Sequence, residues 1–353
     1  MSLPPKHQLS KSTFMYGCQC PKRLWLHKKK PSLKDERTEE QEQVFARGTN
    51  VGLLAQLLFP NGVDASPPNP WSYQQSVRDT AKYIRNGHHI IYEAAFQYNG
   101  ILCAVDILIK TAKGWVAYEV KSSLSLKETH IEDAALQYYV LSNSELLMAD
   151  FAIVHLNKNY VRQGELDLRK LFYPISVLER IIPLQNAIAA NAEVFQEVLQ
   201  SATVPDIAIG AHCFSPYPCD FLGHCHAGIF DIPVEEELSE SLEITYPAHF
   251  LEIGFSMDAV PQQDGHWPYK KNILSYKITR QTAEGEENIT EEINVASTEE
   301  NPETCLTMIK KLESATTIIV KEKKQTFYIL EDLKKVLPNE ITRIASIQGK
   351  LNC

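Results

Sequence analysis

Two acidic residues inside consecutive apolar, strand-like segments constrain this chain more than any other feature. Asp106 lies in the segment 101–109, and Glu119 follows thirteen positions later in the triplet Glu119–Val120–Lys121, at the end of the segment 115–120. A short turn joins the two segments, so the pattern predicts a β-hairpin. A carboxylate in an apolar strand costs several kcal/mol unless it is paired or binds a cation. The hairpin is therefore predicted to carry a charge-balanced site.

A divalent-cation site is one interpretation of these residues. Mg²⁺ prefers one or two carboxylates together with water and phosphate oxygens, and a neighbouring ammonium orients an attacking water molecule. Hydrolysis of a phosphodiester is the natural chemistry of such a site. The alternative is a hairpin whose acids lie at strand ends in solvent, because the spacing of Asp106, Glu119 and Lys121 is not specific by itself.

The flanking segments resemble the PD-(D/E)xK nuclease superfamily and, within it, the RecB-like exonucleases. A further acid, Glu93, lies in the strand-like run 88–97, and an amphipathic helix that carries Gln137 is expected over 127–143. A strand at 151–156 would complete an α-β-β-β-α-β order. The resemblance implies a restriction-endonuclease-like α/β fold, in which a mixed sheet is flanked by helices.

The same resemblance implies roles for the site residues. The implied metal is Mg²⁺ or Mn²⁺, and its implied ligands are Glu93, Asp106, Glu119 and Val120. Lys121 would position the attacking water, and Gln137 would support the site from the helix. Tyr138 and Tyr139 are the candidates for the tyrosine that accompanies this glutamine in the superfamily.

Five of the eight cysteines fall into two groups. Cys18 and Cys20 lie near the start of the chain, within a helix expected to run from Ser10 or Ser12 to about His27. The second group follows a long amphipathic helix expected over 174–200. It has the spacing C-x5-C-x5-C and consists of Cys213, Cys219 and Cys225. Zinc would accept the second group with Cys20 or with His212, His224 or His226, although zinc ligands are usually closer in sequence. Disulfides fit less well, because the first residues lack the apolar segment of a signal peptide.

The cysteine pattern resembles that of iron–sulfur nucleases, among them AddB-type helicase–nucleases and the nucleases of CRISPR adaptation. In those proteins one N-terminal and three C-terminal cysteines hold a 4Fe–4S cluster that clasps the two ends of the nuclease domain. The resemblance implies four cluster ligands here, namely Cys20, Cys213, Cys219 and Cys225. Cys18 stays open as an alternative to Cys20.

Longer motifs resemble a bacterial family in which a RecB-like nuclease is fused to a second domain. They are LSKSTFMYGCQCPKRLWL at 9–26, RGTNVGLLAQLLFPNGV at 47–63, IYEAAF at 91–96, DAALQYYVL at 133–141 and HLNKNYVRQGELDLRKLF at 155–172. The likeness spans residues 8–230. One departure is Gly52, because relatives often carry a histidine at this position, where it assists the metal site.

An acidic run after Pro233 marks a predicted boundary. The predicted domains are a nuclease at 1–232, a linker at 233–244 and a second domain at 245–353. In the resembling family the second domain is RNase H-like, of the DEDD exonuclease type. Here Glu252 remains, whereas Gly254 and Gln325 replace its acidic partners, so we expect a shortened and catalytically inactive domain. An unrelated small α/β domain is the alternative.

Charge and hydropathy limit the expected partners. The net charge of -9 at pH 7 argues against nucleic-acid binding over the whole surface, yet the first 34 residues carry eight Lys and Arg residues and no acid. This basic block either follows a phosphate backbone or forms a solvated helix face. Because no run of about 18 apolar residues occurs, we expect no membrane span and a cytoplasmic location.

These features together predict a Mg²⁺- or Mn²⁺-dependent deoxyribonuclease that acts on single-stranded DNA or duplex ends in repair, recombination or defence. The alternative is a noncatalytic nucleic-acid-binding subunit that retains the nuclease fold. The second domain is expected to support the structure or to bind another protein.

Overall fold

The computed structural model describes residues 7–36, 39–227, 244–282, 289–294 and 301–353, and for 39–47 and 289–294 it describes the backbone alone. The chain divides into two compact units. The first comprises Met1–Tyr160 and Gly164–Pro233, and the second comprises Val161–Gln163 and Val234–Cys353. The acidic linker predicted at 233–244 lies, apart from its last residue, outside the described residues.

The short segment 161–163 belongs to the second unit although it falls inside the predicted nuclease domain. Its backbone explains this assignment, because Arg162 N–H donates to the carbonyl of His266 and the carbonyl of Arg162 accepts from Gly265 N–H, both at 2.9 Å. Two backbone hydrogen bonds thus hold Arg162 to a loop that is about one hundred residues away in sequence.

Seven strands form one mixed sheet in the first unit. They are β1 (Leu9–Ser10), β2 (Val63–Asp64), β3 (Ile90–Tyr98), β4 (Ile101–Thr111), β5 (Gly114–Lys121), β6 (Met148–Leu156) and β7 (Phe172–Ser176). Their order is β2-β3-β4-β5-β6-β7, and β1 pairs with β4. Strands β3, β4 and β5 form an antiparallel meander, β6 runs parallel to β5, and β7 runs antiparallel to β6.

The turn between β3 and β4 fixes the register of the meander. Asn99 and Gly100 have φ values of 46° and 70°, which a type I′ hairpin turn requires at both central residues. Tyr98 consequently pairs with Ile101. This two-residue turn sets which residues of β3 and β4 lie opposite each other, and so positions the acids described below.

Nine helices accompany the sheet in the described part of the first unit. They are α1 (Lys11–Gln19), α2 (Pro21–Lys29), α3 (Glu39–Gln56), α4 (Tyr73–Arg85), α5 (Glu128–Ser142), α6 (Leu168–Leu171), α7 (Leu178–Ile181), α8 (Gln185–Gln200) and α9 (Leu222–His226). Helix α5 packs on β3, β4, β6 and α8. The fold is therefore mixed α/β, with a mixed sheet flanked by helices.

The core of the first unit lies between the sheet and helices α1, α5 and α8. Leu108, Leu136 and Phe151 are fully buried in it, and each such side chain stabilises the fold by roughly 1.5–3 kcal/mol. Helix α1 approaches α8 closely at Gly17, where a Cβ atom would lie 2.8 Å from the ring of Phe195. Glycine at this position is a packing requirement.

The first helix differs from the prediction of one helix from Ser10 or Ser12 to about His27. Helix α1 ends at Gln19, and α2 begins at Pro21. Cys20 between them is extended, with φ -163° and ψ 115°. A residue before proline is driven out of the helical region, and proline fits the first position of a new helix.

The helix predicted over 174–200 also starts later, at Gln185. Residues 172–176 form the edge strand β7, where Pro174 pairs with Val154 of β6. Edge strands tolerate a proline because one side of the strand donates no ladder hydrogen bonds. Helix α7 and a 3₁₀ turn at Ile182–Leu184 then lead into α8.

The second unit contains a five-stranded sheet in its described residues. Its strands are β8 (Ala248–Met257), β9 (Lys271–Gln281), β10 (Ile289–Asn294), β11 (Thr317–Val320) and β12 (Leu351–Asn352), in the order β10-β9-β8-β11-β12. Strand β9 is antiparallel to β8 and β10, whereas β11 is parallel to β8 and β12.

The described part of the second unit also contains three helices, which are α10 (Pro302–Leu312), between β10 and β11, and α11 (Lys323–Val336) and α12 (Ile341–Gln348), between β11 and β12. Their apolar faces meet the sheet in a separate core that includes Met308, Leu330 and Ile344. Within the described residues of both units, no helix is long and apolar enough to cross a membrane.

Candidate active site

Three carboxylates from three adjacent strands lie in one row of the first sheet. In the register of β3 and β4, Glu93 lies between the pairs Tyr92–Ile107 and Ala94–Val105, at the level of Asp106. The register of β4 and β5, continued by one residue, sets Asp106 opposite Glu119. Directly opposite residues on antiparallel strands project to the same face of the sheet. The structure thus brings together the three acids that the sequence singled out.

The sheet opens beside Asp106. Strand β5 pairs with β4 at residues 107–111, and β1 pairs with the same edge of β4 at Ile101 and Leu102. Asp106 lies between these two pairings, and its Oδ2 atom accepts a hydrogen bond from Val120 N–H at 2.5 Å. Val120 therefore enters the site through its backbone, on the strand that also carries Glu119.

The Asp106 carboxyl is held in a form that resists ionisation. Burial raises its pKa well above the usual value, and the neighbouring charge of Glu119 raises it further, whereas Lys11 and the Val120 N–H lower it. A carboxyl with a raised pKa at the centre of an acidic row gains from any added positive charge. A divalent cation bound at this position would supply that positive charge and stabilise the ionised carboxylate.

Glu119 is the most deeply buried acid of the row, with 2% of its surface exposed. Its Oε1 atom accepts hydrogen bonds from Nζ of Lys11 and Nζ of Lys121, both at 2.7 Å. Burial raises the pKa of Glu119, but the two ammonium groups outweigh burial and hold it well below the usual range. Its Oε2 atom is buried and has no hydrogen-bond partner among the described residues.

Lys121 and Asp133 extend this arrangement into a ring of alternating charges. Nζ of Lys121 also donates to Oδ2 of Asp133 on α5, and Nζ of Lys11 lies 3.6 Å from the same oxygen. Burial lowers the pKa of Lys121, but Glu119 and Asp133 outweigh burial and raise it above the usual value. Lys121 is therefore a permanent hydrogen-bond donor at neutral pH.

Glu93 completes the row in an unusual backbone conformation. Its φ is 52°, in the left-handed region that costs a non-glycine residue about 1–3 kcal/mol unless its surroundings compensate. Burial, followed by the charge of Glu119, raises the pKa of Glu93 to about 7. Tyr73, at the start of α4, lies near Glu93. Burial of its hydroxyl and the charge of Glu93 raise the pKa of Tyr73.

One face of α5 supplies further polar groups. His130, Asp133 and Gln137 are all buried on it, at the helical spacing of three and four residues. Gln137 is fully buried, and within the described chain neither atom of its amide has a hydrogen-bond partner; the same holds for Oδ1 of Asp133. Tyr139, one of the two tyrosine candidates, instead accepts a hydrogen bond from Asn99 at 3.3 Å.

Lys11 and Asp133 belong to the site although no local sequence pattern predicts a role for them there. Lys11 reaches the site because β1 pairs with β4 across 92 residues of sequence, as Leu9 opposite Ile101 shows. Asp133 is recognisable only from its helical spacing to Gln137. Lys11 lies in the motif at 9–26 and Asp133 in the motif at 133–141, and membership of these motifs was the sequence feature that could have indicated a role in the site.

The residues present fit a divalent cation in charge and in chemistry. Four carboxylates face two ammonium groups, which leaves two negative charges when all are ionised. The buried oxygens of Glu119 and Asp133 named above are the hard donors that Mg²⁺ and Mn²⁺ prefer. As the side chains stand, no three His, Cys, Asp or Glu residues of the described chain are arranged to hold one ion.

The four cysteines of the predicted cluster line one cavity. Cys20 lies between α1 and α2, Cys213 ends a 3₁₀ turn, and Cys219 and Cys225 lie before and within α9. All four cysteines border the cavity, together with Arg23, His212 and Phe221. Burial is the largest contribution that raises the pKa values of Cys219 and Cys225.

Cys18 lies apart from this group. It is exposed as a residue, whereas Cys20 is buried. Although the residue as a whole is exposed, its thiol group lies close to other protein atoms. The resulting loss of hydration, with the charge of Glu132 on α5, raises the pKa of Cys18 to about 12. The structure therefore places Cys20 with the C-terminal cysteines. Of the three histidines considered for zinc, His212 lies in the cavity wall, with Nε2 3.5 Å from Sγ of Cys213.

Hydrogen bonds already join the two chain segments around the cavity. Gln19 donates to the carbonyls of His212 and Tyr217 at 2.7 and 2.8 Å. Arg23 and Lys34 bind the carboxylate of Asp220 at 2.8 and 2.7 Å. The first helices and residues 212–225 are therefore tied together by direct contacts within the protein.

These contacts also revise the interpretation of the basic N-terminal block. Lys11 lies in the acidic site, Lys22 donates to the carbonyl of Ile207 at 3.3 Å, and Arg23 is buried against Asp220. Of this block, the residues at 28–30 are exposed, and Lys6 lies outside the described residues. Four of its eight basic residues, Lys34 among them, are thus held by contacts within the protein, and three consecutive lysines are exposed.

In the described residues of the second unit, the positions predicted to correspond to acids of an RNase H-like site form no comparable group. Glu252 on β8 is exposed, and its side chain lies 3.8 Å from Lys277 on β9. Gly254 follows on the same strand, and Gln325 is exposed at the start of α11. The one acid that the sequence analysis retained is thus solvated.

No protein-family model matches this chain, and no curated protein is similar enough to it to count as a match.

Proposed function

We propose that the first unit is a metal-dependent nuclease that hydrolyses phosphodiester bonds of DNA. The observation that carries this proposal is the buried row of Glu93, Asp106 and Glu119, closed by two lysines. Burying these charges is costly, and the described residues leave oxygens of Glu119 and Asp133 without partners. Such a concentration of perturbed groups is typical of a functional site.

The proposed ligands of Mg²⁺ or Mn²⁺ are Glu93, Asp106 and Glu119, with the main chain of Val120 beside them. A bound divalent cation supplies Lewis-acid chemistry, lowering the pKa of bound water and neutralising charge on a phosphate group. Glu119 and Asp106 are held in place by Lys11, Lys121 and the Val120 N–H. To bind one ion the carboxylates would have to move closer together, since as they stand no three such side chains of the described chain are arranged to do so.

Lys121 orients water by hydrogen bonding. Its raised pKa keeps it protonated, so it acts as a donor to a water molecule or a phosphate oxygen and does not act as a base. Asp133 fixes the lysine from α5. The buried amide of Gln137 provides a donor and an acceptor that the described residues leave unused, and we assign it to the bound water or substrate.

We further propose that Cys20, Cys213, Cys219 and Cys225 hold a 4Fe–4S cluster with a structural role. Four thiolates are the ordinary ligand set of such a cluster, and each binds a different iron, so the sulfurs need not converge on one ion. The cluster would close a loop of about 200 residues, and a clip across so long a loop stabilises the folded chain. Bound zinc is the alternative outcome.

For the second unit we propose an RNase H-like fold without catalytic activity. Counted along the unit, its strands have the order third, second, first, fourth, fifth, with the second antiparallel to its neighbours. This is the strand order of RNase H-like domains. Because a two-metal site needs several carboxylates and Glu252 is solvated, we assign the unit to structural support or to binding another protein.

Cleavage of labelled oligonucleotides tests the nuclease proposal. Single-stranded and duplex DNA, with RNA in parallel, would be incubated with Mg²⁺ or Mn²⁺ and with excess chelator. Glu119→Gln and Lys121→Met should each lower the rate at least about 100-fold, because positioned ligands and water are lost. Glu179→Gln, at an exposed acid of α7, is the control and should leave the rate unchanged.

Two results would contradict the proposal. Wild-type cleavage that persists in chelator would exclude a divalent cation from the reaction. Binding of DNA without any cleavage, under all of these conditions, would favour the noncatalytic subunit. The sequence observation that supports this alternative is Gly52, which replaces a histidine that assists the metal site in the resembling family.

A further inference from the structure

We propose that Lys11 is a positioning residue of the nuclease site, which holds Oε1 of Glu119 so that Oε2 stays available to the cation. This inference rests on the proposed function. It adds a residue from the N-terminal segment to a site otherwise built from strands β3–β5 and helix α5.

The backbone around Lys11 is fixed on both sides. Before it, Leu9 and Ser10 pair with β4. After it, α1 begins with a capping box in which the Ser10 and Thr13 side chains bond to each other's backbone N–H. A capping box satisfies two donors that a helix start would otherwise leave unpaired. Lys11 therefore projects from a defined point at the open edge of β4.

The contacts of Lys11 restrain Glu119. Nζ of Lys11 and Nζ of Lys121 both lie 2.7 Å from Oε1 of Glu119. A carboxylate whose one oxygen is held from two sides cannot turn without breaking two charge-assisted hydrogen bonds. Lys11 also lies 3.6 Å from Asp133, the residue that holds Lys121. Lys11 thus acts on the site through Glu119 and through the partner of Lys121.

A role in charge balance alone would give a different result on substitution. Removing the ammonium makes the cluster more negative, which strengthens its attraction to a cation. If Lys11 only balances charge, a variant with the cation bound should turn over normally. If Lys11 positions Glu119, turnover should fall even when the cation site is filled. Affinity for the cation and turnover therefore separate the two roles.

The test uses Lys11→Met and Lys11→Arg in the full chain, with Lys113→Met, at an exposed lysine of the β4–β5 turn, as control. Electron paramagnetic resonance would give the Kd for Mn²⁺ without reference to activity. Rates at saturating Mn²⁺ would give kcat and the KM for DNA, and thermal unfolding would confirm the fold.

For Lys11→Met we expect kcat to fall about 10- to 100-fold, the range for residues that orient a metal ligand. The Kd for Mn²⁺ should change less than kcat, because the lost positive charge strengthens cation binding whereas the looser Glu119 weakens it. The KM for DNA should stay within about threefold, since Lys11 is not assigned to substrate binding. Lys11→Arg should retain more activity than Lys11→Met because it keeps the charge. Lys113→Met should match the wild type.

Two results would overturn the inference alone, in a wild-type chain that cleaves DNA. They are wild-type kcat in Lys11→Met at saturating Mn²⁺, and a higher KM for DNA at unchanged kcat. A wild-type chain that binds Mn²⁺ but cleaves no nucleic acid would instead overturn the proposed function, and this inference with it.

Discussion

Two buried glutamines on helices, one in each unit, show how differently the two units use polar side chains. Gln348 of the second unit donates to the carbonyl of Phe327 and to the carboxylate of Glu331, at 3.1 and 2.9 Å. Gln137 of the first unit is more deeply buried, yet in the described chain its amide has no partner. Gln348 therefore stabilises the second unit, whereas the unpaired amide of Gln137 lowers the stability of the first unit.

The acids of the two sheets follow the same division. Glu119 is buried in a row of three carboxylates, whereas Glu252 lies in solvent near Lys277. The second unit also has buried polar atoms without partners in the described chain, at His249 and Tyr276. Their cross-strand neighbours carry no carboxylate. Grouping of such atoms around an acidic row, rather than their mere presence, is what indicates a functional site.

The largest effect is expected from substitution of a cysteine of the predicted cluster, compared with a cysteine in the core of the second unit. Cys213→Ala should abolish the visible absorption of an iron–sulfur cluster in anaerobically purified protein and lower the Tm of the first unit by about 10 °C or more. Cys305→Ala, in the apolar core of the second unit, should keep the full absorption. Colourless wild-type protein that contains stoichiometric zinc would contradict the cluster.

A smaller effect is expected from neutralising the central acid of the row. Without added cation, Asp106→Asn should raise the Tm by about 2–4 °C near neutral pH, because the folded chain no longer carries this costly charge.

The pH dependence of this effect has a definite sign. The pKa of Asp106 is higher in the folded chain than its unfolded value of about 3.9. Ionisation therefore penalises the folded wild type as pH rises above that value. The advantage of Asp106→Asn should grow on raising the pH from about 4 and shrink below it. Thermal unfolding between about pH 4 and pH 8 measures it, and a lower Tm for the variant throughout would contradict a costly Asp106.

The smallest effects come from the two glutamines and have opposite signs. Gln137→Leu should raise the free energy of unfolding by about 1 kcal/mol and lower the rate of cleavage, whereas Gln348→Leu should lower the free energy of unfolding by about 1 kcal/mol. Denaturant unfolding measures both changes. If both substitutions destabilised equally, the contrast between the two units would be lost.

Much of the first sheet was predictable because its signals are local. The strand-like runs around Asp106 and Glu119 lie within one residue of β4 and β5 at most ends, and the helix predicted at 127–143 became α5. Alternating apolar residues and short turns determine such elements. The proposed roles of the residues on them stay predictions.

The remainder depended on contacts that sequence periodicity does not encode. Lys11 reaches Glu119 only through the pairing of β1 with β4, and the left-handed φ of Glu93 has no pattern of its own. The break at Cys20 was within reach of local rules, because proline follows it. The later start of α8 was harder to predict from local rules, because Pro174 is tolerated in a strand only at the edge of a sheet, and the sequence does not show that β7 is an edge strand.

The most direct test of the central claim is the rate at which the full chain cleaves a labelled DNA oligonucleotide in saturating Mg²⁺ or Mn²⁺, compared between Asp106→Asn and Glu252→Gln. The account predicts that Asp106→Asn loses at least about 100-fold in rate, since its carboxylate is assigned to the cation. Glu252→Gln should match the wild type, because that acid is solvated. Wild-type cleavage by Asp106→Asn, or its loss in Glu252→Gln, would place the chemistry outside the carboxylate row of the first unit.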